Sequence, residues 1–298
     1  MEEDGINLTL CEYFDEFTEL AFVKKIGLVI ETAESIEEFK KINLPEGNFF
    51  VRVIDSNNCH DTSSEKIIGE NLGGKGRISF SNPDFVVLAF HLKKWYITIQ
   101  VFERNTKENS QRRAPLRPFF SPISMDPLFA SFVLNLGGFR KGDAILDPFC
   151  GGGGILIEAH KKGLKVYGLD ILQEMVVGAR TNLKYYGSRD FNIQRADFLN
   201  FNSDFKFDGI ATDLPYGRNS HLPDRTNNFL KNTSLAMYRN ITKGARACIV
   251  TNNIENLEFF KEEFFLDKVF PVSVHKSLTR YYSRLIRKYK LILQKKYR

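Results

Sequence analysis

The chain has 298 residues, 42 Lys/Arg against 36 Asp/Glu, a net charge of +6, and 43% hydrophobic residues. This is the make-up of a folded chain of two domains or one large one, and it excludes wholesale disorder. No apolar run is long enough for a membrane-spanning helix, the acidic start Met1-Glu2-Glu3-Asp4 is not a secretory signal, and Cys11, Cys59, Cys150 and Cys248 lack zinc-ribbon spacing, so reduced thiols in a cytoplasmic protein are expected.

The charge is unevenly spread. Residues 1–46 hold twelve acids and four lysines, a net of −8, whereas 276–298 hold nine Lys/Arg and no acid, a net of +9. A basic surface of that kind concentrates polyanions, although any single charge run is more commonly a solvated face. In chain order, 21–31 and 35–41 read as short helices or a helix and a strand. Phe49–Ile54 reads as a strand, 63–72 as a helix, and 85–89 and 96–102 as strands. Together these make a small α+β domain over 1–104. Residues 105–118 are polar and basic with two prolines, and read as a linker.

From 119 to 298 strands and helices alternate, which predicts a parallel sheet in a doubly wound α/β domain. Strands are expected at 144–146, 165–169, 192–195, 207–212, 245–251, 268–274 and 285–293. Helices are expected at 154–161, 173–186, 226–241 and 257–265. Ligands bind at the carboxyl ends of strands in such sheets. Asp147, Asp170, Asp197 and Asp213 all fall at expected strand ends.

Four motifs carry chemistry. The first, Ile145 to Ala159, places four glycines between a strand and a helix, so the backbone can approach a ligand and helix amides can face an anion. No Gly-Lys-Ser/Thr follows, so it is not a phosphate-binding P-loop, and the plainer reading is a tight turn. The second is Asp170 at the next strand end, placed for ribose hydroxyls or for a helix cap. The third is Ala196-Asp197-Phe198, where a carboxylate and a ring can hold an adenine, or simply make a turn with a core Phe. The fourth, Ala211-Thr-Asp-Leu-Pro-Tyr-Gly217, is the most specific. Asp213 and a nearby carbonyl can accept the two N–H groups of a base's exocyclic amine, and Tyr216 offers a ring for a flipped base.

Asp147-Pro-Phe-Cys-Gly-x-Gly-Gly followed by Asp213-x-Pro215-Tyr216 resembles the amino-methylating S-adenosylmethionine-dependent methyltransferases. The segments Arg117–Pro127, Gly168–Ala179 and His275–Arg280 extend the similarity to the archaeal tRNA guanosine-10 N2-methyltransferases, which join a THUMP domain to a catalytic domain. The resemblance implies a Rossmann-like, seven-stranded class I methyltransferase domain over 119–298 and a THUMP-containing RNA-binding domain over 1–104 with a shortened N-terminal lobe. It implies methyl transfer from S-adenosylmethionine to guanine N2 at position 10 of tRNA, once or twice, with no membrane and no metal. Asp147, Phe149, Gly151, Gly153, Asp170, Ile171, Asp197 and Phe198 would bind the cofactor, with 117–127 closing over it. Asp213, Pro215 and Tyr216 would be catalytic. Leu214, Gly217, Arg218, His275 and Arg280 would bind substrate. Gly152 stands where the family usually has Ser or Thr. Leu214 stands where a first proline is common, which is expected to loosen that loop.

The resemblance leaves open a protein activator or a homo-oligomer. Rival readings are N2-methylation of another tRNA position or of ribosomal RNA, N6-methylation of DNA adenine, and a non-catalytic RNA-binding scaffold. A nucleotide-dependent oxidoreductase is excluded, because consecutive glycines replace its spaced GxGxxG loop. Cys150 sits inside the glycine loop, where packing is expected rather than nucleophilic attack.

Overall fold

The computed structural model describes residues 20–54, 62–72, 76–122, 124–215, 226–275 and 278–289. They divide into two compact units: residues 23–105, and 106 onward together with 20–22.

The first unit contains β1 (Lys25–Ala33), β2 (Phe49–Ile54), α1 (Thr62–Asn71), β3 (Phe85–His91) and β4 (Trp95–Glu103). Its sheet order is β1-β4-β3-β2, with β2 and β3 parallel. The two-residue period of β2 buries Phe49, Val51 and Val53 beneath α1, beside Ile68. The apolar stretch Ile26–Ile30 is a strand rather than a helix, and Ile36–Lys41 is a short 3-10 turn.

The second unit contains α2 (Thr106–Ser110), α3 (Pro127–Gly137), β5 (Ala144–Asp147), α4 (Gly154–Lys161), β6 (Lys165–Asp170), α5 (Gln173–Tyr185), β7 (Phe191–Arg195), β8 (Phe207–Asp213), α6 (Thr226–Asn240), β9 (Ile241–Thr251), β10 (Phe264–His275) and β11 (Leu278–Arg287). The expected seven-stranded sheet is present, in the order β10-β11-β9-β8-β5-β6-β7. Strand β11 runs antiparallel to β9 and β10, and the pairs from β9 to β7 are parallel. Two apolar clusters pack in this unit. One joins α3, α4 and α5 through Leu134, Leu156 and Val176, and the other joins α6 through Leu230 and Met237. The chain winds from β5 outward to β7 and then returns to β8 on the other side of β5. The gap between the ends of β5 and β8 is therefore the topological switch point, where such sheets bind ligands.

Four differences from the sequence reading have physical causes. Pro127–Gly137 is a helix, although only its motif was legible. Asp126 Oδ1 accepts from Leu128 N at 2.9 Å, Pro127 starts the first turn, and Gly138 closes the end at φ 60°. The segment read as a linker is docked on α4 instead. Arg112 is buried and donates to both oxygens of the buried Glu158, at 2.7 and 3.0 Å, and Ser131 Oγ donates to the same carboxylate at 3.2 Å. Its basic residues are thus held by protein acceptors rather than forming a solvated tether: Arg112 also reaches Glu108 at 3.3 Å, and Arg113 pairs with Asp126 at 3.2 Å. Ile254–Phe260 is a 3-10 turn, and β10 already begins at Phe264. Finally, β11 starts at Leu278, seven positions before the expected strand. Arg280, Arg284 and Arg287 disguised its period, yet each has a protein acceptor: Asp213, Asp267 and the Tyr238 carbonyl.

Candidate active site

At the end of β5 the chain must turn sharply from strand to helix. Gly151 and Gly153 make that turn at φ 50° and 82°, a region that side chains rarely adopt. A Cβ on Gly151 would meet no atom within 4 Å, so its backbone borders open space and only its conformation demands glycine. Gly152 has no such demand. A Cβ there would sit 3.4 Å from the Phe119 ring, an ordinary contact, so its hydroxyl-free side is not sterically required.

The loop is braced by polar side chains. Asp170 Oδ2 accepts from Gly151 N at 3.0 Å, and Oδ1 accepts from Leu172 N at 2.9 Å. Burial raises the Asp170 pKa, and these amide hydrogen bonds oppose the rise. Its four lone-pair sites exceed these two donors, so the carboxylate retains acceptor capacity. Asp147 is 2% exposed, and its Oδ1 accepts from Thr212 Oγ1 at 2.6 Å and Phe149 N at 3.2 Å. Burial pushes its pKa up to about 7; the two hydrogen bonds resist, while the charges of Asp213 and Asp170 add to the rise. Asp147 is therefore near enough to feel the carboxylates of both Asp213 and Asp170 at one end of the sheet. That is a place suited to a cationic ligand.

Asn182 on α5, fully buried, is a residue that sequence reasoning missed. Its Oδ1 accepts from Phe119 N at 2.9 Å, and its Nδ2 donates to Phe119 O at 3.0 Å and Gly152 O at 2.9 Å. It ties segment 117–122 to the glycine loop. No local pattern announces an Asn whose partners lie 63 and 30 residues away. Thr212 was missed likewise, although it adjoins the fourth motif.

Other expected residues stand as follows. Ile171 is exposed at the end of β6. Asp197 caps the turn Phe198–Asn200, accepting from Leu199 N at 3.0 Å and Asn200 Nδ2 at 2.8 Å. The Phe198 ring is 2% exposed and packs edge-on against Phe149 at 5.7 Å. It is core, not an open platform, and its contribution is to support Phe149, which also meets Phe229 at 5.8 Å. Burial, reinforced by Asp147 and Asp170, holds the Cys150 thiol well above its ordinary pKa, so it packs rather than attacks.

Leu214 corrects two expectations. Its side chain is 2% exposed in the core, so only its backbone can face a substrate. Its N–H also donates to Val250 O at 2.9 Å, a bond that proline lacks, so the departure anchors the loop instead of loosening it. Pro215 follows, half-buried. Tyr216, Gly217 and Arg218 lie outside the described residues, as does the side chain of His275. Arg280 Nη1 donates to Asp213 Oδ2 at 3.2 Å, in a pair whose side chains are only 17% and 21% exposed.

A glycine loop with positive φ, an acid at the end of each adjoining strand and the order β10-β11-β9-β8-β5-β6-β7 define a class I methyltransferase, whose cofactor is S-adenosylmethionine. The family described as RMKL-like, methyltransferase domain matches residues 115–282. A tRNA (guanine(10)-N2)-dimethyltransferase of Pyrococcus abyssi is 34% identical over 287 residues, covering 91% of this chain and 86% of the relative. The chain belongs to that tRNA (guanine(10)-N2)-methyltransferase family. Among solved structures, TrmN from Thermus thermophilus superposes with a TM-score of 0.56 at 20% identity, over 92% of this chain and 86% of that one. The structure of SMU.472 complexed with SAH gives 0.53 at 16%, over 93% and 89%. No described helix is long and apolar enough to cross a membrane.

Proposed function

We propose that this chain methylates the exocyclic N2 of guanosine 10 in tRNA, with S-adenosylmethionine as donor, in the cytosol. One observation carries the reading. The acids of the two diagnostic motifs, Asp147 and Asp213, end adjoining strands at the switch point, beside a glycine loop open to a ligand.

The residues present fit the cofactor. Gly151 would leave room for its amino-acid end, while Gly153 lets α4 pack closely on Ala179; Asp170 would accept from ribose hydroxyls, Phe149 and Ile171 would flank its base, and Asp197 would accept from the base's amine. The carboxylates of Asp147 and Asp170 suit a sulfonium cation, whereas the charge of Asp213 is already paired with Arg280. When bound, S-adenosylmethionine supplies an electrophilic methyl group, whose carbon–sulfur bond breaks as the nitrogen–carbon bond forms, the electron pair passing to sulfur.

The protein's own work is positional. Asp213 and the Leu214–Pro215 backbone accept the two N–H bonds of the guanine amine and aim the nitrogen lone pair. Tyr216 stacks on the base, as the resemblance implies. The amine becomes cationic on alkylation and then sheds a proton, which Asp213 or solvent takes, so no strong base is required beforehand. Alignment of this kind supplies most of the rate. Residues 1–104 act as the THUMP-like RNA-binding domain, and the basic C-terminal segment adds salt-sensitive attraction to the phosphates.

The test is incubation with labelled S-adenosylmethionine and unmodified tRNA transcript, followed by nucleoside mass spectrometry. N2-methyl- or N2,N2-dimethylguanosine at position 10 is the expected product. Methylation mapping only elsewhere defeats the assignment of position. Cofactor binding without any methylation of tRNA defeats the assignment of substrate.

A further inference from the structure

We propose that Arg280 is a positioning residue for methyl transfer. Its guanidinium, which donates to one carboxylate oxygen, fixes the plane of the Asp213 carboxylate that receives the guanine amine. This rests on the function proposed above and assigns to Arg280 a different task from contact with RNA.

The strand register brings Arg280 and Asp213 to one face of the sheet. Asp213 pairs with Val250 on β9, and Val250 pairs with Tyr282 on β11, so the three lie in one row across the sheet. Side chains in register share a face, and Arg280, two residues from Tyr282, shares it as well. Because β11 runs antiparallel to β9, Arg280 lies beyond the row on the side toward the carboxyl end of β8. The gap from β11 to β8 is two strand spacings, on the order of 10 Å, which a long cationic side chain can cross diagonally.

The Tyr282 ring is 1% exposed, stacked on Phe129 at 5.6 Å and tilted against Phe132 at 5.5 Å, both from α3. Its phenol lies beside the guanidinium of Arg280, whose Nη1 donates to Asp213 Oδ2 at 3.2 Å. The torsion that rotates an aspartate carboxylate is soft and two-fold, so without an anchor the plane of its lone pairs is poorly defined. An Arg donor on one oxygen sets that plane and leaves acceptor sites for an amine. A residue reserved for phosphate contact would instead present an exposed cation. Arg280 is 17% exposed and directed inward.

The experiment compares single-turnover methylation of tRNA by Arg280→Gln, Arg280→Lys and Tyr282→Phe, with Arg284→Gln as a control for lost charge on the same strand. Arg280→Gln is expected to slow methyl transfer about 10²-fold while tRNA KM and cofactor Kd stay within about threefold. Arg280→Lys should recover part of the rate, and Tyr282→Phe, which keeps the ring packing on Phe129 and Phe132, and Arg284→Gln should both stay near wild type. In an Asp213→Asn background, Arg280→Gln should slow the reaction no further, because the two residues act as one unit. An unchanged rate with raised tRNA KM and weaker salt dependence would make Arg280 a phosphate contact and overturn the inference. So would parallel loss of thermal stability and cofactor affinity, or rate losses that add in the double variant. A wild type that leaves tRNA unmethylated overturns the parent reading along with this one; an active wild type matched by Arg280→Gln overturns this one alone.

Discussion

Asp147 is costly to ionise in its buried place, and Asp147→Asn makes that cost measurable. Burial raises its pKa from the ordinary 3.8 to about 7, a rise of about three pH units. At about 1.36 kcal/mol per unit, the folded protein carries a penalty of about 4 kcal/mol once the group is ionised. Between pH 4 and 7 the folded state holds a proton that the unfolded chain has released, so this group's contribution to stability falls as pH rises and levels off above pH 7. Asparagine is neutral throughout, and its carbonyl can still accept from Thr212 Oγ1 and Phe149 N. The stability of Asp147→Asn relative to wild type should therefore improve by about 2–3 kcal/mol from pH 5 to pH 8. Urea unfolding at the two pH values measures this, and a gap that does not change with pH would refute the reasoning. The same substitution should weaken S-adenosylmethionine binding at pH 8 in calorimetry, because one negative neighbour of the sulfonium is gone. Stability and cofactor affinity should thus move in opposite directions, as expected where a functional charge is kept buried.

Three further outcomes follow from the packing. Glu158→Ala removes the buried acceptor of Arg112 Nε and leaves Glu108, at 3.3 Å, as the only carboxylate on that guanidinium among the described residues, and should lower unfolding stability by about 2–4 kcal/mol, whereas Glu158→Gln, which keeps an acceptor, should lose less; equal losses in denaturant melts would contradict the ion-pair account. Asn182→Ala removes three hydrogen bonds and should cost about 2–4 kcal/mol, with cofactor affinity falling because Phe119 and the glycine loop come apart; unaltered affinity would show that the tie is irrelevant to the cofactor. Asp213→Ala should reduce methylation by about 10²-fold or more with cofactor Kd little changed, and near-normal turnover in the nucleoside assay would remove Asp213 from the site.

The alternation of strands and helices was legible in the sequence because it depends on local periodicity. Phe49–Ile54 and Gly154–Lys161 appear at the expected bounds. The acids at strand ends were legible too, since a strand that stops at Asp147, Asp170 or Asp213 announces itself through its neighbours. The helix Pro127–Gly137 carried its caps in plain view and was still hidden inside a motif, and the arginines of β11 hid a strand whose charges are satisfied by distant acceptors.

What the acids touch was decided only by folding. Thr212 reaches Asp147 across 65 residues, Arg280 reaches Asp213 across 67, and Arg112 reaches Glu158 across 46. A sequence determines where a chain turns and which groups it presents there, because turns and periods are short-range. It does not disclose which buried donor meets which acceptor, because that pairing is set by strand order and register. Here it is the return of β8 to the side of β5, with β11 inserted antiparallel beyond β9, that makes one site of acids scattered along the chain.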